Sequence, residues 1–286
     1  MIPLAGGAIA HWQFGQGPDI VFIHGWPLHG GTWRRIIPAL CEHFTCHVFD
    51  MPGVGRSIPW RGPIGLWEHA YSTLHAIDAL ELQGYALIAH DSGGTIARLL
   101  ADLDADRVQA LVLGNTEIPG RGVPRLDQAQ RAAGFPLTEK LVKFAMSSER
   151  FRRSRYGFGS CFDDLSQIET DFYDLFVAPL IEDRAQRSGQ MRFVRELNWD
   201  VVLEDLHDVH ARLDAPVLLI WGERDRWFPW KHAKKMVDSF ASGPARVETI
   251  PAGKLFVHEE FAPQFATWTL EFLLSMCEPT APDESE

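Results

Sequence analysis

The segment best suited to chemistry is residues 88–94 (IAHDSGG), where a short apolar run meets a helical pattern. A sharp turn from a strand into a helix exposes the side chain at its apex and requires small residues on either side of that apex. With Ala89 and Gly93 as the small residues, the apex is Asp91. The competing register puts Ser92 at the apex, and a histidine then stands where a small residue is needed. We therefore predict that Asp91 is the nucleophile and keep Ser92 as the alternative.

The residue at the apex decides which reaction the chain could perform. A carboxylate can attack an sp³ carbon and form an alkyl ester, whereas a hydroxyl would serve acyl transfer. The covalent intermediate divides one difficult substitution into two easier steps. Water must then hydrolyse the ester, and a general base is needed to activate that water.

The elements around this turn predict an α/β fold. Short strand-like runs alternate with helical runs, which indicates a mostly parallel sheet that is covered by helices on both faces. The predicted strands are residues 19–24, 44–50, 85–90, 110–114, 217–221 and 246–250. The predicted helices in the first third are residues 32–40, 67–82 and 95–103.

Residues 120–212 interrupt this alternation, because they hold no convincing buried strand and carry many charges. We predict an inserted helical cap there, with helices near 139–145, 171–181 and 190–196. The core domain then comprises residues 1–119 and 213–277. Residues 278–286 (EPTAPDESE) are acidic, contain proline and are poor in apolar residues, so we expect a disordered tail.

Composition narrows the class of protein. The 286 residues are 46% hydrophobic with a net charge of −11, which is typical of a globular chain and gives no basic surface for nucleic acid or an anionic membrane. We expect a small, uncharged substrate as the partner, and no cofactor. The four cysteines have no spacing typical of a metal site or a disulfide framework. No signal peptide or membrane span is visible, which predicts a cytoplasmic protein.

The motifs, taken in order, resemble the α/β-hydrolase superfamily in its aspartate-nucleophile branch, which includes epoxide hydrolases and haloalkane dehalogenases. The resemblance covers nearly the whole chain. It rests on HGWP at 24–27, DMPGVGRS at 50–57, the turn at Asp91 and WGERD at 221–225. It implies a cofactor-free hydrolase that opens a small apolar epoxide, with a haloalkane or haloacid dehalogenase as the alternative.

This sequence departs from the family pattern at the position of the hydrolytic base. The resemblance places the hydrolytic histidine at the position that Leu255 occupies, and leucine cannot transfer a proton. If a helix begins near Lys254, His258 lies on the same face as Leu255 and becomes the candidate base. Asp225, after the 217–221 strand, is the favoured acid to orient that base. Glu117 resembles the acid of one dehalogenase subgroup and is the alternative.

The resemblance also implies groups that assist the first step. Backbone N–H groups of Trp26 and Ser92 are expected to hold the developing negative charge. Tyr156 and Tyr173 in the cap are candidates to polarise an epoxide oxygen, and the Trp26 indole could instead bind a halide. A rival of another class follows from Leu255: without a base, the scaffold would bind a small ligand or trap it covalently once.

Overall fold

The computed structural model describes residues 1–277, and its centre is a seven-stranded sheet in the order β3-β5-β4-β6-β7-β8-β9. Strand β3 pairs antiparallel to β5, and the remaining neighbours pair in parallel. A separate antiparallel pair, β1 and β2, precedes the sheet. The strands are β1 Ile2–Leu4, β2 Gly7–Ile9, β3 His11–Phe14, β4 Asp19–Ile23, β5 Thr45–Phe49, β6 Tyr85–His90, β7 Val108–Gly114, β8 Val217–Gly222 and β9 Ala245–Ile250.

The central strands are apolar throughout because both faces of the sheet are covered. Successive side chains alternate between two cores, as β6 shows. Leu87 packs into the larger core, which includes residues of the helical region, whereas Ile88 packs with Trp33 and Phe265 on the opposite face. A strand that contributes side chains to both cores must be apolar along its whole length, and such continuous apolar runs are visible in the sequence.

Helices complete both layers. The helices are α1 Ile37–Leu40, α2 Leu66–Ala79, α3 Ser92–Leu103, α4 Pro124–Ala133, α5 Thr138–Met146, α6 Glu149–Arg152, α7 Ala178–Glu182, α8 Arg184–Glu196, α9 Trp199–Arg212, α10 Trp230–Met236, α11 Val257–Glu260 and α12 Ala262–Cys277. Short 3₁₀ turns lie at Gly30–Arg35, Phe158–Ser160, Leu165–Glu169 and Val237–Ser239, and a π-helical turn spans Tyr173–Val177. Every element between β7 and β8 is helical.

The predicted α/β class and the six predicted strands are confirmed, with ends that differ by up to two residues. The helix predicted over 32–40 is instead a 3₁₀ turn followed by α1, because Pro38 favours the start of a new helix. The helix predicted over 171–181 is a π-helical turn that leads into α7. The predictions from sequence did not include strands β1, β2 and β3 or helices α4, α6, α9, α10 and α12. The tail predicted over 278–286 lies outside the described residues.

The parallel strands end at one edge of the sheet, and the predicted site residues follow those ends. Trp26 follows β4, Asp91 follows β6, Glu117 follows β7, Asp225 follows β8 and Leu255 follows β9. Ligands of open parallel sheets bind beyond the carboxyl ends of the strands, so the site is expected at this edge. Within residues 1–277, no helix is long and apolar enough to cross a membrane.

Candidate active site

Asp91 occupies the apex of the turn between β6 and α3. Its φ of 55° and ψ of −136° are a backbone conformation that residues other than glycine rarely adopt. The turn fits only because its neighbours are small. A Cβ on Gly93 would lie 2.4 Å from the Ile23 carbonyl oxygen, and one on Gly25 would lie 2.4 Å from the Asp91 Cβ.

Substituting Gly93 therefore tests the turn. We expect Gly93→Ala to destabilise the protein by at least about 1–3 kcal/mol, because the added methyl group would overlap main-chain atoms that cannot move aside. Urea unfolding would measure the loss. Gly122→Ala is the matched control, since a Cβ there meets nothing within 4 Å. Equal stability of the two variants would contradict the tight turn.

Two backbone N–H groups hold one oxygen of the Asp91 carboxylate. The Ser92 N–H donates to Oδ1 at 2.6 Å, and the Trp26 N–H donates to the same oxygen at 3.2 Å. Both donors thus stand where the sequence analysis expects an oxyanion hole. Among the described residues, the other oxygen, Oδ2, accepts no hydrogen bond.

Asp91 lines a cavity of about 570 Å³ between the sheet edge and the helical region. Apolar and aromatic side chains dominate the lining, as is usual for small-molecule sites; they include Trp26, Phe158, Trp227 and Phe256. Ser92 is fully buried, is not among the lining residues, and its Oγ accepts the Trp26 N–H at 3.1 Å. The geometry therefore presents the carboxylate rather than the neighbouring hydroxyl to the cavity.

A larger cavity of about 860 Å³ lies at the β3 edge of the sheet, beside Trp12 and His29. Asp91 does not line it, although Asp50 does. The Asp50 carboxylate accepts hydrogen bonds from the backbone N–H groups of Gly30 and Arg56. We place the candidate active site in the smaller cavity, because the buried carboxylate at the strained apex of the turn lines it.

The surroundings of Asp91 disfavour ionisation of its carboxyl group. Burial and the charge of Glu117 raise the pKa of Asp91 well above its usual value, while the Ser92 and Trp26 N–H groups act in the opposite direction. A carboxylate that is removed from water is poorly solvated even when a few hydrogen bonds hold it. Such a group is a stronger nucleophile once it has lost its proton.

Leu255 lines the same cavity as Asp91, at the position where the resemblance places the base. The structure does not bring His258 there. Helix α11 begins at Val257 rather than near Lys254, so residues 255 and 258 do not share a helical face. The His258 ring is fully buried on the opposite face of the sheet beside Trp33, and its Nε2 lies 2.7 Å from the Thr32 hydroxyl.

The other nearby histidines are also engaged elsewhere. The His90 Nε2 lies 2.9 Å from the Leu255 carbonyl oxygen, and its ring packs 4.0 Å from that of His258. His24 accepts the Met51 N–H, as expected for a residue that fixes the turn. Burial lowers the pKa of His90 to about 3 and that of His24 to about 4, so both rings are neutral. The residues that line the cavity include no histidine.

Both candidate acids are buried close to the turn but lack an imidazole partner. Asp225 accepts hydrogen bonds from the Asn115 side chain and the Trp227 N–H, each at 2.7 Å. Glu117 accepts them from the Thr95 and Thr116 hydroxyls through Oε2, and its Oε1 is buried without a partner. Among residues 1–277, both acids are therefore buried near the turn, and neither forms a hydrogen bond with a histidine side chain.

Of the residues predicted to assist the leaving group, Tyr156 and Trp26 line the cavity and Tyr173 does not. Tyr156 lines the cavity at its mouth, and its hydroxyl accepts a hydrogen bond from Arg155 at 2.6 Å. Tyr173 does not line the cavity, because its ring lies under the Arg152 guanidinium, 4.8 Å from the centroid. The Trp26 indole N–H donates to the Gln190 carbonyl at 2.9 Å and is not free for a halide.

Comparison with known proteins agrees with this architecture. Residues 18–262 match the family described as the alpha/beta hydrolase fold. The chain belongs to this family. The predicted superfamily is thus confirmed, and the family and its relatives support the prediction that the chain is a hydrolase.

Two relatives of this hydrolase are named as pimeloyl-(acyl-carrier protein) methyl ester esterases. The one from Aeromonas hydrophila is 35% identical over 231 residues, covering 76% of this chain and 81% of that protein. The one from Vibrio vulnificus is 28% identical over 253 residues, covering 87% and 92%.

Solved structures share the fold. A haloalkane dehalogenase from Bradyrhizobium elkani has a TM-score of 0.79 at 21% identity, covering 96% of this chain and 97% of that one. An epoxide hydrolase has a TM-score of 0.76 at 20% identity, covering 96% and 98%. At such identities these likenesses establish the architecture of the hydrolase and not its substrate.

Sequence reasoning missed several residues that the hydrolase places around Asp91. Asn115 could have been found, because it directly follows β7 at the functional edge of the sheet. Cys161, Arg125 and Arg155 line the cavity from the helical region, where no motif marks them. Among the described residues, no cluster of three or more histidine, cysteine, aspartate or glutamate side chains could hold a metal ion.

Burial of Asp225 makes the stability of the hydrolase depend on pH. Burial raises the pKa of Asp225 to about 7, whereas an unfolded chain has a value of about 3.9. As pH rises from about 4 to about 7, the unfolded state loses this proton first, so stability falls. We expect wild type to lose up to about 4 kcal/mol relative to Asp225→Asn over this range.

Denaturant unfolding at several pH values would measure that difference. Asp238→Asn is the control, since its exposed carboxylate makes no comparable buried contact. Its stability relative to wild type should not change with pH. Parallel pH profiles for wild type and Asp225→Asn would show that the Asp225 carboxyl is not protonated in the folded state.

Proposed function

We propose that this hydrolase opens small epoxides through a covalent alkyl ester on Asp91. One observation carries the proposal: the strained apex presents the Asp91 carboxylate to an apolar cavity while two backbone N–H groups hold Oδ1. This arrangement supports in-line attack by Oδ2 on a carbon atom that is held in the cavity.

The first step forms one bond and breaks one. Asp91 Oδ2 donates an electron pair to an epoxide carbon, and the bond from that carbon to the epoxide oxygen breaks. The oxygen takes up a proton, and the product is a hydroxyalkyl ester of Asp91. Hydrolysis then adds water to the ester carbonyl, whose negative charge the Trp26 and Ser92 N–H groups stabilise. The diol leaves, and Asp91 and a proton are regenerated.

Two features favour an epoxide over an alkyl halide. The Trp26 indole N–H is already bound to Gln190, so it offers no donor to a leaving halide. Tyr156 lines the cavity, and its oxygen accepts a hydrogen bond from Arg155, which leaves the phenolic O–H free to donate. An alkoxide leaving group needs such a proton, whereas a halide does not.

The second step lacks the usual base. Leu255 fills the position beside Asp91, and the nearby imidazoles are held elsewhere. A positioned base contributes about 10²–10⁴-fold to a proton-transfer step. We therefore propose that the Asp91 ester hydrolyses slowly and accumulates as the dominant form during reaction.

Intact-mass analysis with styrene oxide and its bromide analogue, 2-phenylethyl bromide, tests this function. We expect the epoxide to add its full mass to one site, Asp91, faster than the bromide alkylates it. Ester formation should accelerate as pH rises, because burial raises the pKa of Asp91 and only its ionised form attacks.

Tyr156→Phe supplies the control for proton donation. It should slow epoxide opening by about 10-fold or more while leaving the reaction with the bromide unchanged. Faster alkylation by the bromide would favour the dehalogenase alternative. If neither compound modifies Asp91 at any pH, the proposed function is wrong.

A further inference from the structure

We propose that the electrophile accepted by this cavity carries a carboxylate, which the guanidinium of Arg125 binds inside the cavity and Arg155 attracts at its mouth. The inference rests on the proposed function of Asp91 and names the substrate class of the same site. It replaces the uncharged substrate that the net charge of the chain predicts, because net charge describes the whole surface and not one cavity.

Helix α4 places Arg125 in the lining of the cavity that Asp91 also lines. Residues 125, 128, 129 and 132 all line the cavity, and their spacing of three, four and seven positions places them on one face of the helix. Arg125 is half-buried on that face. Its guanidinium lies over the ring of Trp227, 5.5 Å from the centroid, and Trp227 also lines the cavity.

Among the described residues the Arg125 guanidinium forms no close ion pair, although its charge acts on the buried Asp225 carboxyl and lowers the pKa of Asp225 against the larger effect of burial, which raises it. Among the described residues no carboxylate oxygen lies within 4.0 Å of it, and its Nη1 is buried without a hydrogen-bond partner. Stacking on an aromatic face uses the plane of the guanidinium and leaves its N–H edge available. A guanidinium without a close carboxylate is costly to bury, and a carboxylate bound where the Arg125 side chain lines the cavity would supply that partner.

Within residues 1–277, several other arginines form close ion pairs, which Arg125 does not. Arg34, Arg152 and Arg212 each form an ion pair with a carboxylate at 2.9 Å or less. Arg155 resembles Arg125 instead. It lines the cavity, is exposed at the mouth, and donates to the Tyr156 hydroxyl rather than to an acid.

Two arginines without a close ion pair among residues 1–277 line one cavity of this acidic protein. An anion that approaches the mouth would meet Arg155 first and Arg125 further inside. Binding the carboxylate at Arg125 would then hold the other end of the molecule in the apolar part of the cavity, where Asp91 lies. The substrate class is thus an epoxide with a carboxylate at the distant end of a short chain.

Matched pairs of terminal epoxides test the inference. Epoxybutanoate, epoxyhexanoate and epoxyundecanoate would each be compared with its neutral carboxamide by the initial rate of Asp91 ester formation. At one chain length or more, wild type should react with the carboxylate at least about 10-fold faster than with the amide. Equal rates at every length would overturn the inference.

Variants separate charge recognition from packing. Arg125→Gln should bring the two rates to within about 2-fold of each other, and Arg125→Lys should keep part of the preference because it keeps the charge. Arg131→Gln is the control, since it removes the same charge from an exposed position on α4. Arg155→Gln should mainly reduce the salt dependence of the carboxylate rate. A preference that survives in Arg125→Gln would also overturn the inference.

Calorimetry distinguishes failure of the inferred substrate class from failure of the proposed function of Asp91. Wild type should bind hexanoate or undecanoate more tightly than the corresponding amide, and Arg125→Gln should lose that difference, with no covalent step involved. Binding of this kind without any modification of Asp91 would reject the proposed function alone. Modification of Asp91 by acid and amide at equal rates, without a binding preference, would reject the substrate class alone.

Discussion

Asp91→Asn should abolish covalent modification by epoxides, with the rate of ester formation falling by at least about 10³-fold. The amide cannot supply the attacking electron pair, yet asparagine tolerates a positive φ and should preserve the turn. The thermal midpoint should therefore stay the same or rise, because a poorly solvated carboxylate is removed. Intact-mass kinetics and thermal unfolding of the same preparation would measure both effects.

Ser92→Ala is the matched control for this prediction. Its hydroxyl accepts the Trp26 N–H but does not line the cavity, so the variant should still form the Asp91 ester at a rate near that of wild type. Because the relatives are named as esterases, loss of activity in Ser92→Ala would also be informative. If Ser92→Ala lost all reaction with epoxides and esters while Asp91→Asn kept it, the nucleophile would be Ser92.

Leu255→His should convert slow ester hydrolysis into rapid turnover. The new imidazole would stand in the cavity lining beside Asp91, where a general base can activate the hydrolytic water. We expect the hydrolysis rate to rise by about 10²-fold or more. Wild type should accumulate the ester after one turnover, whereas the variant should release diol repeatedly and remain mostly unmodified by mass.

Two double variants would identify the acid that serves this histidine. Leu255→His with Asp225→Asn should lose most of the gain, because Asp225 follows β8 beside the same edge and would orient the ring. Leu255→His with Glu117→Gln should keep the gain. The reverse pattern would assign the role to Glu117, whose Oε1 is buried without a partner. Leu255→Gln, which is polar but has no base of suitable pKa, should show no gain; an equal gain there would contradict base catalysis.

The sheet and the turn could be predicted from the sequence, because their signals are local. Buried parallel strands require continuous apolar runs, and these runs are visible at residues 85–90 and 217–222. The turn requires small residues within two positions of its apex, and Ala89 and Gly93 mark it. Such constraints act between neighbours in the chain, so spacing alone reveals them.

The tertiary structure decided which side chains reach Asp91, because those contacts join residues that are far apart in the chain. The late start of α11 turns His258 to the opposite face of the sheet, and the Gln190 carbonyl engages the Trp26 indole. Arg125 enters the cavity because α4 presents one face to it. No local spacing encodes these placements, since each follows from how the helical region packs against the sheet edge.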